Sequence, residues 1–146
     1  MNLSKNTKLT RVINATAAGT TDINGSTIDM LGFEGVLFVV GFGTITASAV
    51  TSIKVQQGAE SDLSDAADLA GTGVTVADDD DNQIFGVDVY RPTERYVRVV
   101  VDRGTANAVV DGGIAIQYGP AKAPTTHDTT TVGSVETHAG PAEGTA

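Results

Sequence analysis

The sequence predicts an all-β fold, a single β-sandwich or jelly-roll-like domain or a small β-barrel. Short segments rich in Val and Thr alternate with Gly-containing turns, which is typical of strands joined by tight connections. Segments with the helical spacing of apolar residues are nearly absent. The 146 residues suffice for one domain with a hydrophobic core, and the absence of cysteine excludes disulfides, thiol nucleophiles and zinc–thiolate sites.

Three regions differ in composition. We predict an extended N-terminal arm at residues 1–11, which is basic, and a β-rich body at residues 12–119. The C-terminal tail, residues 120–146, is rich in Thr, Ala, Gly and Pro. Such a tail buries too little apolar surface to offset its ordering entropy, so we expect it to be mobile unless neighbouring subunits hold it.

Eight strands are predicted from runs of β-branched and aromatic residues bounded by turn residues. They span residues 7–14, 26–30, 36–42, 50–57, 73–77, 83–90, 95–103 and 109–118. Only residues 61–70 show a helical pattern, because their Leu and Ala residues lie three or four positions apart and Gly71 follows as a stop signal. One or two helical turns are expected there.

The period of two assigns the side chains of the last two strands to faces. The predicted core residues are Val97, Val99, Val101, Ile114, Ile116 and Tyr118. The residues that alternate with Val97, Val99 and Val101 are expected to be mostly solvated.

Residues 35–42 are apolar at every position rather than at alternate ones. A strand with one solvated face alternates, so a continuous apolar run requires cover on both faces. The cover comes either from loops of this chain or from another subunit, and the sequence favours neither.

Eight carboxylates and no basic side chain occur between residues 58 and 82, including four aspartates at 78–81. One interpretation is a calcium site, since Ca²⁺ binds carboxylate and carbonyl oxygens. The spacing does not match an EF-hand loop, which requires Gly where Gln83 stands and an acid where Val89 stands. A solvated loop that protects a sheet edge is the favoured interpretation.

No arrangement of residues predicts catalysis. His127 and His138 both lie in the tail and are expected to be ordinary tail residues. No nucleophile elbow, phosphate-binding loop or metalloprotease helix occurs, so we expect neither an enzyme nor a cofactor. The 18 acidic against 9 basic residues disfavour nucleic acid as the main partner, and the longest apolar run is too short to cross a membrane.

A protein partner is the more consistent expectation. Four of the five arginines lie within residues 91–103 with acids interleaved, which favours ion pairs between strands or at an interface. An extended arm can also add a strand to a partner's sheet. The candidate interface residues are Lys5, Lys8, Arg11, Phe38, Phe42, Arg91, Arg95 and Arg98.

Three stretches resemble a family of small proteins of tailed bacteriophages and prophages. They are GVLFVVGFGTIT at residues 35–46, the acidic connector at residues 56–83, and DVYRPTERYVRVVVDRGT at residues 88–105. We associate this family with the capsid decoration, or cement, proteins of the phage head. The resemblance implies a homo-oligomer, usually a trimer, made in the host cytoplasm and bound to the major capsid protein on the outside of an expanded capsid.

Two other functions are open. One is a carbohydrate- or receptor-binding β-sandwich module, for which calcium would give the aspartates at 78–81 a role. Such modules stack sugars on exposed aromatic residues, and aromatic residues make up only 5% of this chain. The other is a different structural component of the phage head or tail.

Overall fold

The computed structural model, which describes residues 1–145, is a β-sandwich of two antiparallel sheets. The prediction of an all-β fold is confirmed. One short helix precedes eleven strands in the described residues. The elements are α1 (Leu3–Asn6), β1 (Thr7–Ile13), β2 (Thr16–Gly19), β3 (Ile23–Asn24), β4 (Ile28–Asp29), β5 (Gly35–Ile45), β6 (Thr51–Gly58), β7 (Ala67–Asp68), β8 (Val74–Val76), β9 (Ile84–Tyr90), β10 (Tyr96–Arg103) and β11 (Ala108–Tyr118).

The two sheets have different strand orders. The five-stranded sheet runs β1-β11-β5-β9, and β2 also pairs with β11. The six-stranded sheet runs β3-β10-β6-β7, with β4 beside β10 and β8 beside β6. No helix in residues 1–145 has the length and apolar character that a membrane crossing requires.

The core lies between the sheets and is built mainly from Val, Ile and Phe. On β5 the inward residues alternate with partly exposed ones, as the pleat of a strand requires. The inward residues of β5 and β10 that are almost fully buried are Val36, Phe38, Val40, Phe42, Val97, Val99 and Val101. Val100 is only 3% exposed, so the other face of β10 is less solvated than its alternation predicts.

The helical turns expected at residues 61–70 are absent, and that prediction is wrong. Asp62 accepts the N–H of Ser64, and the Asp65 carboxylate accepts the N–H groups of Ala59 and Glu60. These local side-chain bonds compete with helical ones, so turns and the short strand β7 form instead.

The predicted facing of the last strand is also wrong. Ile114, Ile116 and Tyr118 point away from the core, and Ala115 and Gln117 point into it. The cause is a β-bulge between Val110 and Gly112, where Gly112 has a φ of 146°. One extra residue transfers every following side chain to the opposite face of the sheet.

Arg103 is buried although it has no carboxylate partner in the described residues. Its guanidinium donates to the carbonyl oxygens of Ala17, Thr21 and Ala108 at 2.7 to 3.0 Å. Its backbone N–H donates to Asp22. This arginine of the predicted cluster therefore fixes the segment between β2 and β3 against the end of β10.

Candidate interaction surface

The solvent side of the five-stranded sheet is apolar at its centre. Residues opposite one another in the β1–β11–β5–β9 ladder share this side. Its apolar side chains, which we call the outer face, are Leu9, Leu37, Val39, Ile84, Ile114 and Ile116. Ile84 is 75% exposed and Ile114 is 41% exposed. The continuous apolar run of β5 is thereby explained, since one of its faces fills the core and the other forms the middle of the outer face.

The outer face is large enough to matter for binding. Four strands about 4.8 Å apart and about 20 Å long give the solvent side of this sheet roughly 400 Å², polar residues included. The largest apolar patch on a typical soluble monomer is about 300–600 Å² and is often functional. Within the face lies a depression of about 400 Å³ between β1, β11 and β5, lined by Val39, Gly41, Gly112, Gly113 and Ile114. Arg11 and Asp111 stand at its rim.

Tyr118 lies across the polar end of the outer face. Its hydroxyl donates to the Asp88 carboxylate at 2.7 Å, and a Cβ on Gly35 would stand 2.2 Å from its ring. Gly35 is thus the residue that lets the ring cross β5 to reach β9. Burial of the ring and the bond to Asp88 raise the pKa of Tyr118 to about 12, because both disfavour the phenolate.

The β1 edge of this sheet is covered by the chain's own tail. Thr125 donates to the carbonyl oxygen of Lys5 through its N–H and to that of Thr7 through its hydroxyl. The N–H of Leu9 donates to Nδ1 of His127 at 3.1 Å, and the Leu9 carbonyl accepts the N–H of Asp128. We call residues 125–131 the strap, since they run along the outward side of β1.

The strap ends in a tight turn. The N–H of Arg11 donates to the Thr131 hydroxyl, and Asp128 accepts hydrogen bonds from Thr130 and Thr131. The hydrogen bonds from Thr130 lower the pKa of Asp128 below its ordinary value, and the bond from Thr131 contributes less to this lowering. The tail therefore does not depend on a neighbouring subunit here, which corrects the expectation that only other subunits would hold it.

His127 is a structural residue that the sequence did not reveal. The sequence places it among Thr and Asp with no apolar periodicity, and only the fold brings it to the backbone of Leu9. His138, by contrast, contacts Glu136 at an exposed position.

Two of the predicted interface residues are unavailable to a partner. Phe38 and Phe42 are 0% and 1% exposed and pack in the sandwich core. Phe42 makes an edge-to-face contact with Phe85, with ring centroids 5.7 Å apart. This corrects the assignment of these rings to an interface. The apolar run to which they belong reaches solvent through the residues between them.

The basic residues of the N-terminal segment are placed differently from one another. Lys5 lies on α1, whereas Lys8 and Arg11 lie on β1, which pairs with β11. Residues 7–11, the second half of the predicted arm, thus belong to the five-stranded sheet. Arg11 is exposed and has no carboxylate within 4 Å in the described residues, so its charge is available at the rim of the outer face.

The three other predicted arginines bind within the chain. Arg95 holds Asp29 through two parallel bonds of 2.7 and 2.8 Å, which lowers the pKa of Asp29. Arg91 pairs with Glu34 at 3.1 Å, and Arg98 donates to Gln56. The structure does not bring the eight predicted residues together on one surface.

Three of the four aspartates at 78–81 bind backbone groups. Asp81 accepts the N–H of Ile45, Asp78 that of Ser48, and Asp80 that of Ala77. They fasten the loop after β5 to the turn before β9. Within residues 1–145, no three His, Asp or Glu side chains are grouped in a way that could hold a metal ion.

Comparison with known proteins gives distant structural likenesses. No family model and no curated protein matches the chain. The crystal structure of the SPBc2 prophage-derived protein YomS is similar, at 16% identity and a TM-score of 0.42, over 75% of this chain and 94% of that one. The structure of infectious bursal disease virus, Gx strain, is similar at 13% identity and a TM-score of 0.43. That likeness covers 81% of this chain and only about a third, 34%, of the viral one.

Proposed function

We propose that this chain is a virion structural protein that binds the outer surface of a phage capsid and stabilises it, as decoration proteins do. The outer face supports this most directly, because it is an apolar sheet surface that the described residues leave partly open to solvent. The middle of this face is β5, which lies within one of the stretches that resemble decoration proteins. The partner is then the major capsid protein.

The distribution of charge is consistent with one bound side and one solvated side. The connection from β6 to β8 carries four exposed acids, Glu60, Asp62, Asp65 and Asp68, and it belongs to the six-stranded sheet. The apolar outer face belongs to the opposite sheet. With a net charge of −9, an acidic exterior keeps decorated particles from adhering to one another.

We further propose that the protein performs no reaction. Several side chains that could transfer protons or hold a metal serve the fold, since His127 holds β1 and Asp78, Asp80 and Asp81 hold two loops. Binding at several capsid subunits would instead stabilise the shell by avidity, with each contact weak.

Co-sedimentation with expanded, undecorated phage capsids tests this proposal. The wild-type chain should bind saturably, at a fixed ratio to the capsid protein. Ile114→Lys places a charge in the centre of the outer face and should weaken binding at least about tenfold, because a buried unpaired charge costs more than 1.4 kcal/mol. Leu31→Lys is the matched control, since Leu31 is 69% exposed in the loop between β4 and β5 and is not part of the outer face.

Two results would overturn the proposal. One is that the wild-type chain does not bind capsids at any concentration. The other is that Ile114→Lys binds as well as the wild type, which would show that the outer face is not the contact. Binding of a glycan in place of the capsid would favour the carbohydrate-binding alternative.

A further inference from the structure

The free edge of β9 has a full set of unpaired backbone groups. Phe42 donates to the carbonyl of Gln83, and Arg91 donates to that of Glu34, so these two pairs are hydrogen-bonded pairs of the β5–β9 ladder. Because such pairs alternate, every second residue of β9 directs its N–H and C=O away from β5. These residues are Ile84, Gly86, Asp88 and Tyr90.

Nothing in the described residues occupies or blocks this edge. None of the four N–H and four C=O groups has a hydrogen-bond partner there. β9 contains no Pro, no Lys and no bulge, which are among the usual devices that prevent edge pairing, and its one charged side chain, Asp88, accepts a hydrogen bond from Tyr118. Ile84 and Tyr90 are 75% and 57% exposed at its two ends. The edge is therefore suited to accept another strand.

We propose that β9 pairs with the β9 strand of a second copy of this chain, antiparallel, about a two-fold axis at Val87. In this register Ile84 lies opposite Tyr90 of the second copy, and Gly86 lies opposite Asp88. All four residues are those that direct backbone groups outward, so eight hydrogen bonds satisfy every free group on both edges. The exposed Ile84 and Tyr90 side chains cover each other across the pair.

The side chains of the paired strands that point toward the two cores are also compatible with this register. Val87 meets Val87 of the second copy, and Phe85 meets Val89, so only apolar side chains adjoin at the end of the two cores. Aromatic and β-branched residues are favourable cross-strand partners. The strand thus complements itself on both of its faces.

The neighbouring registers of this antiparallel pairing are less favourable than the register centred on Val87. A shift that places Asp88 opposite Asp88 of the second copy sets two like charges directly against each other. The opposite shift places Ile84 against Asp88 and leaves Tyr90 without a partner. Charge and hydrogen bonding therefore select the register centred on Val87.

A two-fold contact closes with two copies. The proposal thus predicts a dimer, and not the trimer that the resemblance implies. The dimer joins the two five-stranded sheets through their β9 edges and makes the two outer faces continuous. It concerns the isolated protein and does not depend on capsid binding.

Cysteine cross-linking tests the register, because the chain has no cysteine of its own. Val87→Cys should form a covalent dimer under mild oxidation, since the two positions would lie about 4.5 Å apart, within the range of a disulfide. Val89→Cys is the matched control on the same face of β9, with 9% exposure against 8% for Val87. Its two copies would lie on the order of 13 Å apart, four residues along the strand, beyond disulfide range.

Sedimentation equilibrium gives the second readout. It should cover protein concentrations from about 1 µM to about 1 mM, because dimers with small interfaces dissociate in this range. The mass should rise to twice the 14.9 kDa of one chain. Ile84→Lys should weaken the dimer at least about tenfold, because Lys at an edge disfavours pairing, and Leu31→Lys should not. If Val87→Cys fails to fold, Ile84→Lys and Leu31→Lys still test the proposed dimer.

The proposal is overturned if the chain stays monomeric throughout this range, or if its limiting mass is that of a trimer. Equal cross-linking of Val87→Cys and Val89→Cys would also overturn it. Since these measurements use no capsid, a failure here leaves the capsid proposal standing, and a failure of capsid binding leaves this one standing.

Discussion

The two edge strands of the five-stranded sheet differ in whether another segment of the chain covers them. At the β1 edge, the strap forms five hydrogen bonds with backbone groups of Lys5, Thr7, Leu9 and Arg11. At the β9 edge, eight backbone groups have no partner among residues 1–145. The strap also differs from an ordinary strand, because three of these five bonds come from side chains, those of Thr125, His127 and Thr131.

This difference shows how a sheet can direct association to one side. An unprotected edge pairs with any compatible strand, so a molecule with two open edges would form chains rather than a closed assembly. With one edge covered, pairing through the other stops at two copies. A polar tail is sufficient for the cover, since hydroxyl and imidazole groups bond to backbone without a regular strand.

The largest effect is expected from removing the strap. Deletion of residues 123–146 removes the five bonds of the strap to residues 5–11, at about 0.5 to 1 kcal/mol each, so the free energy of unfolding should fall by about 3 kcal/mol. With both edges open, the protein should also form assemblies larger than a dimer. Urea unfolding and light scattering measure both effects. Deletion of residues 139–146 alone is the control and should change neither, whereas unchanged stability on the longer deletion would contradict the sealing of β1.

A smaller effect is expected where Tyr118 crosses β5. Gly35→Ala places a methyl group against the Tyr118 ring, which must move and lose its bond to Asp88. We expect a loss of about 2 kcal/mol in the free energy of unfolding. Gly73→Ala is the control, because a Cβ there meets no atom within 4 Å. Equal stabilities of the two variants would show that the ring does not depend on Gly35.

The strap itself can be weakened by a single substitution. His127→Ala removes the acceptor of the Leu9 N–H, so we expect a loss of about 1 kcal/mol and about fivefold faster exchange of the Leu9 amide. Hydrogen exchange by NMR measures this. His138→Ala changes a residue of the same tail that bonds only to Glu136, and it should leave the Leu9 amide unaffected. Slow exchange of that amide in both variants would argue against the bond to His127.

The smallest effect is a dependence on high pH. The folded chain holds the Tyr118 proton more tightly than the unfolded chain does, with a pKa of about 12 against an ordinary value of 10. The stability from this proton is fully present below about pH 10 and is lost as the pH rises toward 12, by less than about 1 kcal/mol after solvent screening. A pH titration followed by tyrosine absorbance should show one component that ionises at a higher pH than an ordinary tyrosine, and Tyr118→Phe should abolish this component. Its persistence in that variant would assign the component to another tyrosine.

The strands and most of the core could be predicted because they follow the period of two. Each of the eight predicted strands overlaps an observed one, and Val97, Val99 and Val101 are core residues as their alternation requires. The facing of β11 is predicted wrongly when the period of two is carried through the whole strand, because Gly112 and Gly113, which favour a β-bulge, mark the point where one extra residue enters. The strands β2, β3 and β7 are too short to show a period.

The candidate surface was accessible to sequence reasoning only in part. The unbroken apolar run of β5 indicated that a second face needs cover, and the outer face is that surface. Ile84 and Ile114 could not be assigned to this face from the sequence, because the assignment requires the strand order, which brings together residues distant in sequence. The same applies to the strap, where His127 meets Leu9 across 118 positions.

The central claim is that this protein adds cohesion to a capsid through its outer face. The most direct measurement is the temperature at which expanded phage capsids come apart, with and without a saturating amount of the chain. We predict that the wild-type chain and Leu31→Lys raise this temperature equally and that Ile114→Lys does not raise it. A disassembly temperature that the wild-type chain leaves unchanged, although it binds, would contradict the claim.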